Sequence, residues 1–329
     1  MPGNSNETGQ MNEVFLMDNY ENIPNLEGKV AIVTGANSGI GYGITYHLAK
    51  NACKVVMASR NKEKLIEAKS KMLNDVPNAD LELEIVDLLS LKSIKSFCHR
   101  MRESYQKVDF LANNAGGGGY LYKETEDGFE ENLMINYLGH FALTTQLLPL
   151  LKDGSRIVNF STVGYKQSLK SDLDVDNLMC MNPKDYDQVQ EYCKSKLCSI
   201  LYAVRLQQEF ERRSLSSMAF SCHPGYARTN LTNKDDQTLF VRIFFKFFNP
   251  FSALFNYSHS LYNGALPAVE ALIADNAKPY KVYSPSNKYE TTGYPVPREI
   301  DHTHYKDEDI NRLWDKTQKI LDIKVDEYL

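Results

Sequence analysis

The sequence predicts an α/β domain in which a mostly parallel sheet is covered by helices on both faces. From Lys29 onward, short runs rich in β-branched residues alternate with amphipathic stretches such as Lys62–Leu73. Strands that alternate with helices of this length form βαβ units, whose parallel strands are buried on both faces. The chain shows no repeat of fixed period, and its 329 residues, 43% of them hydrophobic, suffice for one large core.

Seven strands are predicted, each a short apolar run that ends in a turn. They are Val30–Thr34, Lys54–Ala58, Leu81–Val86, Val108–Leu111, Arg156–Phe160, Met218–Cys222 and Lys281–Tyr283. Two stretches, at about 165–190 and 230–260, fit the alternation poorly. We interpret them as insertions at the rim of one domain that spans residues 29–329.

An acidic segment precedes this domain. Residues 1–28 contain five acidic and no basic side chains, so they account for the whole formal charge of −5. The segment is rich in Asn and Gly, which predicts a mostly disordered leader. Because it has neither the basic start nor the apolar run of a signal peptide, we expect a cytoplasmic protein.

Composition and charge exclude several function classes. No stretch of about 18 uncharged apolar residues is found, so no membrane-spanning helix is predicted. The body of the chain is neutral overall, which argues against nucleic acid as a partner, since duplex binding needs a basic face. The six cysteines are scattered without a C-x-x-C pair, so neither a metal site nor a disulfide framework is predicted.

A glycine-rich turn after the first strand predicts a nucleotide site. It has the spacing G-x-x-x-G-x-G and lies between a predicted strand and a predicted helix, the context of a Rossmann-type dinucleotide domain. Glycines let the chain turn tightly and let backbone N–H groups approach a pyrophosphate at a helix N-terminus. The cofactor contacts predicted in this turn are Gly35, Asn37, Ser38, Gly39, Ile40 and Gly41.

The end of the second strand favours NADP(H) over NAD(H). An NAD site usually places a carboxylate here for the ribose 2′-hydroxyl, whereas a nearby arginine accommodates a 2′-phosphate. Ser59 stands in the place of the acid and Arg60 follows it. A guanidinium matches phosphate geometry and is always charged. A solvated surface arginine is the alternative interpretation, because Lys62 and Lys64 make this region basic in any case.

Tyr192 and Lys196 form a candidate proton-transfer pair. They are four residues apart, so on a helix they share a face. A phenol ordinarily titrates near pH 10, and a neighbouring ammonium favours the phenolate. Ser161, at the end of the fifth predicted strand, is placed to hydrogen-bond a substrate oxygen whose charge changes during reaction.

In this order along the chain, the motifs resemble those of the short-chain dehydrogenase/reductase family. Besides the glycine-rich turn, those that carry the resemblance are Asp87-Leu88, Asn113-Asn114-Ala115-Gly116, Asn136 in Asn-Tyr-Leu-Gly-His-Phe, Ser161, Tyr192-x-x-x-Lys196 and His223-Pro224-Gly225 with Thr229. The resemblance covers roughly residues 24–322. It implies a doubly wound Rossmann domain with a seven-stranded, mostly parallel sheet of order 3-2-1-4-5-6-7.

The resemblance also implies roles for individual residues. The catalytic set would be Asn136, Ser161, Tyr192 and Lys196. Lys196 would also bind the nicotinamide ribose, and Asn136 would hold a water that links Lys196 to solvent. The cofactor contacts implied beyond the glycine-rich turn, Ser59 and Arg60 are Asp87, Leu88, Asn114, Ala115, Gly116, Tyr192, Lys196, Pro224, Gly225 and Thr229.

Within the family, the chain resembles the retinol-dehydrogenase-like branch, whose members act on retinoids, steroids, fatty aldehydes and other carbonyls. Asn22-Ile23-Pro24-Asn25-Leu26 and Leu313-Trp314 fit this branch. The run Gly116–Gly119 departs from it, and we leave two interpretations open: a wider or looser substrate pocket, and a flexible surface turn.

Leu239–Phe255 contains seven phenylalanines and lies where the family has a substrate lid. An apolar lid implies an apolar substrate and would allow contact with a membrane surface. A packed helix pair or a homodimer contact is the alternative.

We therefore predict an NADP(H)-dependent oxidoreductase that transfers a hydride between nicotinamide and a hydrophobic alcohol or carbonyl. The substrate would resemble a retinoid, a steroid, a lipid aldehyde or a xenobiotic carbonyl, and Tyr192 would be the general acid/base. Two alternatives remain. A catalytically silent NADP(H) sensor on the same fold typically lacks Tyr192 or Lys196, and both are present. An epimerase or dehydratase usually carries G-x-x-G-x-x-G at the first turn, which this chain does not.

Overall fold

Eight strands form one sheet through the middle of the protein. The computed structural model describes residues 23–118, 121–152, 154–226 and 260–329. The strands are β1 Val30–Thr34, β2 Lys54–Ser59, β3 Leu81–Ile85, β4 Phe110–Asn113, β5 Arg156–Phe160, β6 Met218–Cys222, β7 Lys281–Pro285 and β8 Pro295–Glu299. Their order is β3-β2-β1-β4-β5-β6-β7-β8. The doubly wound class and the predicted order of the first seven strands, all parallel, are confirmed.

The predicted count of seven strands is wrong, because β8 adds an antiparallel strand beside β7. Its sequence is Pro-Val-Pro-Arg-Glu, with Pro295 opposite Pro285 and Pro297 opposite Tyr283. Proline cannot donate to a sheet, so a Pro-x-Pro segment argues against a central strand and is tolerated at an edge. β8 lies at one of the two edges of the sheet, and sequence patterns alone did not reveal it.

Helices cover both faces of the sheet. In chain order they are α1 Gly39–Lys50, α2 Lys62–Asp75, α3 Leu91–Ser104, α4 Glu131–Leu133, α5 Gly139–Leu147, α6 Gly164–Gln167, α7 Gln188–Arg212, α8 Leu261–Ile273 and α9 Asp307–Leu321. α1, α2 and α8 share one apolar core with the strands. α3, α5, α7 and α9 share the other. Alternate strand residues divide between the two cores, as in β1, where Ile32 belongs to the second and Ala31 and Val33 to the first.

An aromatic cluster packs α7, the helix that carries Tyr192 and Lys196, against α5 and α9. The ring centroids of Phe141 on α5 and Tyr202 on α7 are 4.9 Å apart, and Trp314 on α9 lies 5.3 Å from Phe141 and 6.0 Å from Tyr202. Arg205 places its guanidinium 5.0 Å from the Trp314 ring centre. Because aromatic contacts of this kind add to the free energy gained by burial, α5, α7 and α9 pack as one layer.

Residues 23–28, which sequence analysis assigned to the acidic leader, pack against the domain. Ile23 and Leu26 are buried, and Leu26 N donates to Asn51 O at 2.8 Å. In the stretch at about 165–190, Leu173, Val175 and Leu178 are buried in the core.

The predicted lid at about 230–260 and its phenylalanine-rich segment lie outside the described residues, apart from Ser260. In the described ranges, no helix combines the length and the hydrophobicity needed to cross a membrane. All six cysteines are free and buried.

We expect Gly139→Ala to destabilise the protein even though alanine favours helices. Gly139 has helical angles, φ −62° and ψ −40°. A Cβ at this position would lie 2.5 Å from Leu88 O and 2.9 Å from Met134 O. Overpacking of this kind typically costs about 1–3 kcal/mol, more than the roughly 1 kcal/mol that alanine gains over glycine in a helix. Urea unfolding would measure the loss. The exposed Lys319→Ala serves as the control and should stay within about 0.5 kcal/mol of wild type; equal stability of Gly139→Ala and this control would contradict the prediction.

Candidate active site

The carboxyl ends of β1 to β6 lie along one edge of the sheet. The strand order reverses between β1 and β4, which are adjacent in the sheet. In open α/β sheets the crevice at such a reversal is where ligands bind. The residues predicted as site residues follow these strand ends or lie on helices beside them.

The turn between β1 and α1 has the geometry of an anion site. Gly35 and Gly39 have left-handed φ angles of +69° and +56°. A Cβ on Gly41 would lie 2.3 Å from Gly35 O, so only glycine permits this closeness. Ser38 precedes α1, its exposed side chain caps no N–H group, and no acidic residue lies in the first turn. Since the first N–H groups of a helix lack intrahelical partners and its dipole favours anions, a pyrophosphate fits this helix end.

The ends of β2 and β3 carry the residues predicted to contact the adenosine part of a cofactor. Ser59 is partly buried and Arg60 is exposed. The carboxylate of Asp87 accepts a hydrogen bond from Leu89 N at 3.0 Å and remains partly exposed. The Leu88 side chain is buried in the core, so its main chain is the part that can reach a ligand.

Hydrogen bonds tie the turn after β4 to the end of β1. The hydroxyl of Thr34 accepts from Asn114 N and Ala115 N, both at 2.9 Å. The amide of Asn114 donates to Thr34 O at 2.7 Å. The side chain of Asn114 therefore hydrogen-bonds within the protein. This leaves the main chain of the turn as the part that can contact a ligand in the crevice.

His140 lies beneath this junction. Its Nε2 is 3.1 Å from Thr34 Oγ1 and its Nδ1 is 3.4 Å from Asn136 O. A carbonyl only accepts, so Nδ1 carries the proton, and the unprotonated Nε2 shares the single Thr34 hydroxyl proton with Ala112 O, which lies 3.2 Å from Thr34 Oγ1. Burial, together with the nearby charge of Lys196, lowers the pKa of His140 to about 3. His140 is therefore a neutral structural residue.

Asn136 lies in a π-helical segment, Met134–Leu138, between α4 and α5. Its side chain pairs with the main chain of Gly117: Nδ2 donates to Gly117 O at 2.8 Å, and Oδ1 accepts from Gly117 N at 3.1 Å. Nδ2 also donates to Ser195 Oγ at 3.1 Å. Asn136 therefore positions the glycine run against α7.

The glycine run contacts both members of the Tyr192–Lys196 pair. A Cβ on Gly116 would lie 2.5 Å from Asn136 Oδ1 and 3.0 Å from Lys196 Nζ. A Cβ on Gly118 would lie 2.4 Å from the Tyr192 ring. Because Gly117 is buried, the described part of the run is not a surface turn. Its lack of side chains instead lets the backbone pack directly on Tyr192 and Lys196.

Lys196 is buried, 5% exposed, and its ammonium donates to Phe160 O at 3.1 Å. Burial lowers the pKa of Lys196 to about 8. It is therefore largely protonated at neutral pH. Ser161, the next residue after β5, is also buried, and its hydroxyl donates to Lys196 O at 2.9 Å. The structure thus brings Asn136, Ser161, Tyr192 and Lys196 to one place through short contacts.

The turn after β6 carries the last of the predicted cofactor contacts along this edge of the sheet. Gly225 has φ +67°, and its N–H donates to His223 Nδ1 at 3.2 Å. Pro224 and Gly225 are partly exposed, whereas Thr229 lies outside the described residues.

Comparison with known proteins identifies relatives of this chain. A family profile described as short chain dehydrogenase matches residues 29–171. Mouse retinol dehydrogenase 13 is 38% identical over 208 residues, which cover 63% of this chain and 60% of that protein. Human retinol dehydrogenase 14 is 34% identical over 221 residues, covering 63% and 64%. The chain is therefore similar to the short-chain dehydrogenase/reductase family over residues 29–171 and to retinol dehydrogenases over 63% of its length.

The matched segments span somewhat under two thirds of the length of the two relatives. A solved structure of an uncharacterised protein from Mycobacterium paratuberculosis has the same fold, with a TM-score of 0.71 and 25% identity over 92% of this chain and 97% of that one.

Sequence reasoning missed four residues that contribute to this site. Thr34 directly precedes the glycine-rich turn, and a hydroxyl at a strand end was a usable signal. Phe160 acts through its carbonyl, which no side-chain pattern reveals. The contact of Gly118 with Tyr192 and the contact of Glu290 with His223 join residues far apart in the chain, so neither had a local signal.

We expect the buried charge of Lys196 to cost stability below pH 8. Between its folded pKa of about 8 and the ordinary lysine value near 10.4, the unfolded chain binds more protons than the folded one. The free energy of unfolding should therefore rise with pH through this window, by up to about 3 kcal/mol from this group. Lys196→Met should lose that rise.

Urea unfolding of cofactor-free protein at several pH values from 7.5 to 10.5 would test this. The difference between wild type and Lys196→Met isolates Lys196 from other groups that titrate in the same range. The exposed Lys95→Met is the control and should follow the wild-type curve. If the wild-type and Lys196→Met curves are parallel, the prediction is wrong.

Proposed function

We propose that this protein is an NADP(H)-dependent oxidoreductase that interconverts a hydrophobic alcohol and the corresponding carbonyl compound. The observation that carries the proposal is the joint packing of Tyr192 and Lys196 against the glycine backbone at the end of β4. A phenol, a buried ammonium and Ser161 are brought together at the crevice where the strand order reverses.

The chemistry assigned to the chain is proton transfer by Tyr192. During reduction, Tyr192 gives its proton to the carbonyl oxygen as carbon gains a hydride; during oxidation, it takes the proton back. The Lys196 ammonium favours the phenolate left on Tyr192, because an opposite charge nearby stabilises the ionised form. The Ser161 hydroxyl, now bonded to Lys196 O, would turn to donate to the substrate oxygen.

The residues present fit a dinucleotide. The N-terminus of α1 and its glycine turn would hold the pyrophosphate, and the main chain of Asn114–Gly116 would lie beside the nicotinamide half. Within the described residues, Phe160 O takes one of the three N–H groups of Lys196, which leaves donors for ribose hydroxyls. When bound, the nicotinamide supplies or accepts the hydride.

Arg60 supports NADP(H) as the cofactor. It is exposed directly after β2, beside Ser59 in the place where NAD sites usually carry an acid. Neither Ser59 nor Arg60 would repel a 2′-phosphate, and the guanidinium can bind it with two hydrogen bonds.

The substrate class is supported by the relatives and by the sequence. Two relatives carry the name of retinol, an apolar alcohol. The phenylalanine-rich segment 239–255 follows the turn after β6 in the chain. The family resemblance implies that this part of the chain forms the substrate lid, and an apolar lid would suit a hydrophobic substrate.

We expect Tyr192→Phe to abolish turnover while it leaves NADPH binding within about twofold of wild type, since a phenyl ring keeps the packing on Gly118 but has no proton to transfer. NADPH oxidation with a panel of aldehydes, ketones and quinones would measure turnover, and fluorescence titration would measure binding. Exposed Tyr289→Phe is the control and should behave as wild type. Retained turnover in Tyr192→Phe would contradict the mechanism. Wild-type protein that binds NADPH but reduces nothing would instead favour the silent sensor.

For the cofactor, we expect Arg60→Ala to weaken NADPH binding about tenfold to a hundredfold and NADH binding by less than about twofold, because only NADPH carries the 2′-phosphate. The dissociation constants of both cofactors would be compared for wild type, Arg60→Ala and Lys64→Ala. Lys64 is exposed on the same basic surface and controls for general charge. Equal losses for NADPH and NADH would refute the phosphate assignment.

A further inference from the structure

Glu290 lies at the centre of a largely buried ionic cluster behind the turn that follows β6. It belongs to the loop between β7 and β8. Its carboxylate contacts His223 Nε2 at 2.9 Å and Lys166 Nζ at 2.5 Å, and Arg298 Nε lies 3.9 Å away. The side chains of His223, Glu290 and Lys166 are 1%, 13% and 18% exposed. These side chains form one connected cluster of charged and polar groups beneath the protein surface.

His223 links Glu290 to the turn through its two ring nitrogens. The N–H of Gly225 donates to Nδ1, so Nδ1 carries no proton and Nε2 must donate to the Glu290 carboxylate. Burial lowers the pKa of His223, although Glu290 opposes this, and Lys166 and Arg298 add to the lowering. Burial alone would raise the pKa of Glu290, but the hydrogen bonds from His223 and Lys166 bring it to about 2. A neutral histidine therefore bridges a charged carboxylate and the Gly225 amide.

The same loop also holds the turn through its main chain. Thr291 O accepts from Tyr226 N at 3.0 Å, and a Cβ on Gly225 would lie 2.4 Å from Thr291 O. Asn287 in turn fixes Thr291, whose N–H donates to Asn287 Oδ1 at 2.8 Å. Glu290 itself has the left-handed angle φ +56°, which costs energy for a residue with a side chain. The loop maintains this strained residue where it meets His223.

Lys166 connects the cluster to the segment that follows Ser161. It lies on α6, Gly164–Gln167, five residues beyond Ser161. Next to it, Tyr165 OH accepts from Asp301 N, just beyond β8, at 3.2 Å. The hairpin formed by β7, β8 and their loop therefore contacts both the turn after β6 and the segment after β5.

We propose that Glu290 is a positioning residue for the cofactor site: through His223 it sets the position of the Pro224-Gly225 turn against the nicotinamide. This rests on the proposed function, which assigns that turn to the cofactor. Glu290 touches neither the cofactor nor the substrate; its effect passes through the imidazole to the Gly225 amide.

The test compares Glu290→Gln with Tyr289→Ala, an exposed neighbour in the same loop, in the full chain. Glutamine keeps the size of Glu290 but replaces a charged acceptor with a neutral one and sets an amide N–H group against Lys166 or His223. We expect the NADPH dissociation constant, measured by fluorescence titration, to rise about tenfold in Glu290→Gln and to stay within about twofold in Tyr289→Ala. KM for NADPH should rise together with its dissociation constant while KM for the carbonyl substrate changes little, whereas a smaller folded fraction would lower the apparent kcat and leave both KM values unchanged.

His223→Asn is the second variant and covers the case in which Glu290→Gln does not fold. Asparagine keeps an acceptor near Gly225 N but loses the reach to Glu290. It should weaken NADPH binding to a similar extent. Unchanged NADPH binding in a folded Glu290→Gln, or in His223→Asn if the former does not fold, would overturn this inference alone. Failure of wild-type protein to bind NADPH or NADH would overturn the proposed function and this inference together.

Discussion

The contact between the end of β1 and the turn after β4 is the constraint on which the rest of the site depends. The Thr34 hydroxyl accepts hydrogen bonds from the main-chain N–H groups of Asn114 and Ala115. The side-chain amide of Asn114 donates a hydrogen bond to Thr34 O. The strand order reverses at this junction, so the two chain segments that diverge from it enclose the crevice. Without these hydrogen bonds, the glycine-rich turn after β1 and the glycine run after β4 would not be held in fixed positions relative to each other.

The candidate catalytic residues take their positions from that junction. His140 hydrogen-bonds both Thr34 and the carbonyl of Asn136. The side chain of Asn136 in turn hydrogen-bonds Gly117. The glycine run then packs on Lys196 and Tyr192. Because Lys196 is buried, its charge is costly to the fold but acts strongly on its neighbours, since a low dielectric weakens screening. The same burial that lowers stability would therefore strengthen the effect of the ammonium on Tyr192 in the proposed mechanism.

Much of this protein could be predicted from local patterns. β-branched runs separated by amphipathic stretches placed the first seven strands to within two residues at either end, and the motifs predicted their order. The same motifs, read in order, identified the Tyr192–Lys196 pair and Ser161, because each lies at a strand end or on one helix face. β8 was missed, since its prolines oppose the usual preferences of a strand and are tolerated because, among the described residues, no strand pairs with its outer edge.

The resemblance of the motifs to a known family supplied the order of the strands, and the sequence by itself determined the class of fold and the types of residue gathered at the candidate site. These depend on periodicity, turn chemistry and helix spacing, all of which act over a few neighbouring residues. Only the tertiary structure decided that glycine backbone packs on Tyr192, that Asn136 holds Gly117, and that Glu290 reaches His223. These contacts join segments far apart in the chain. Their geometry follows from how the core packs and from which buried polar groups must find partners, neither of which is written in a local pattern.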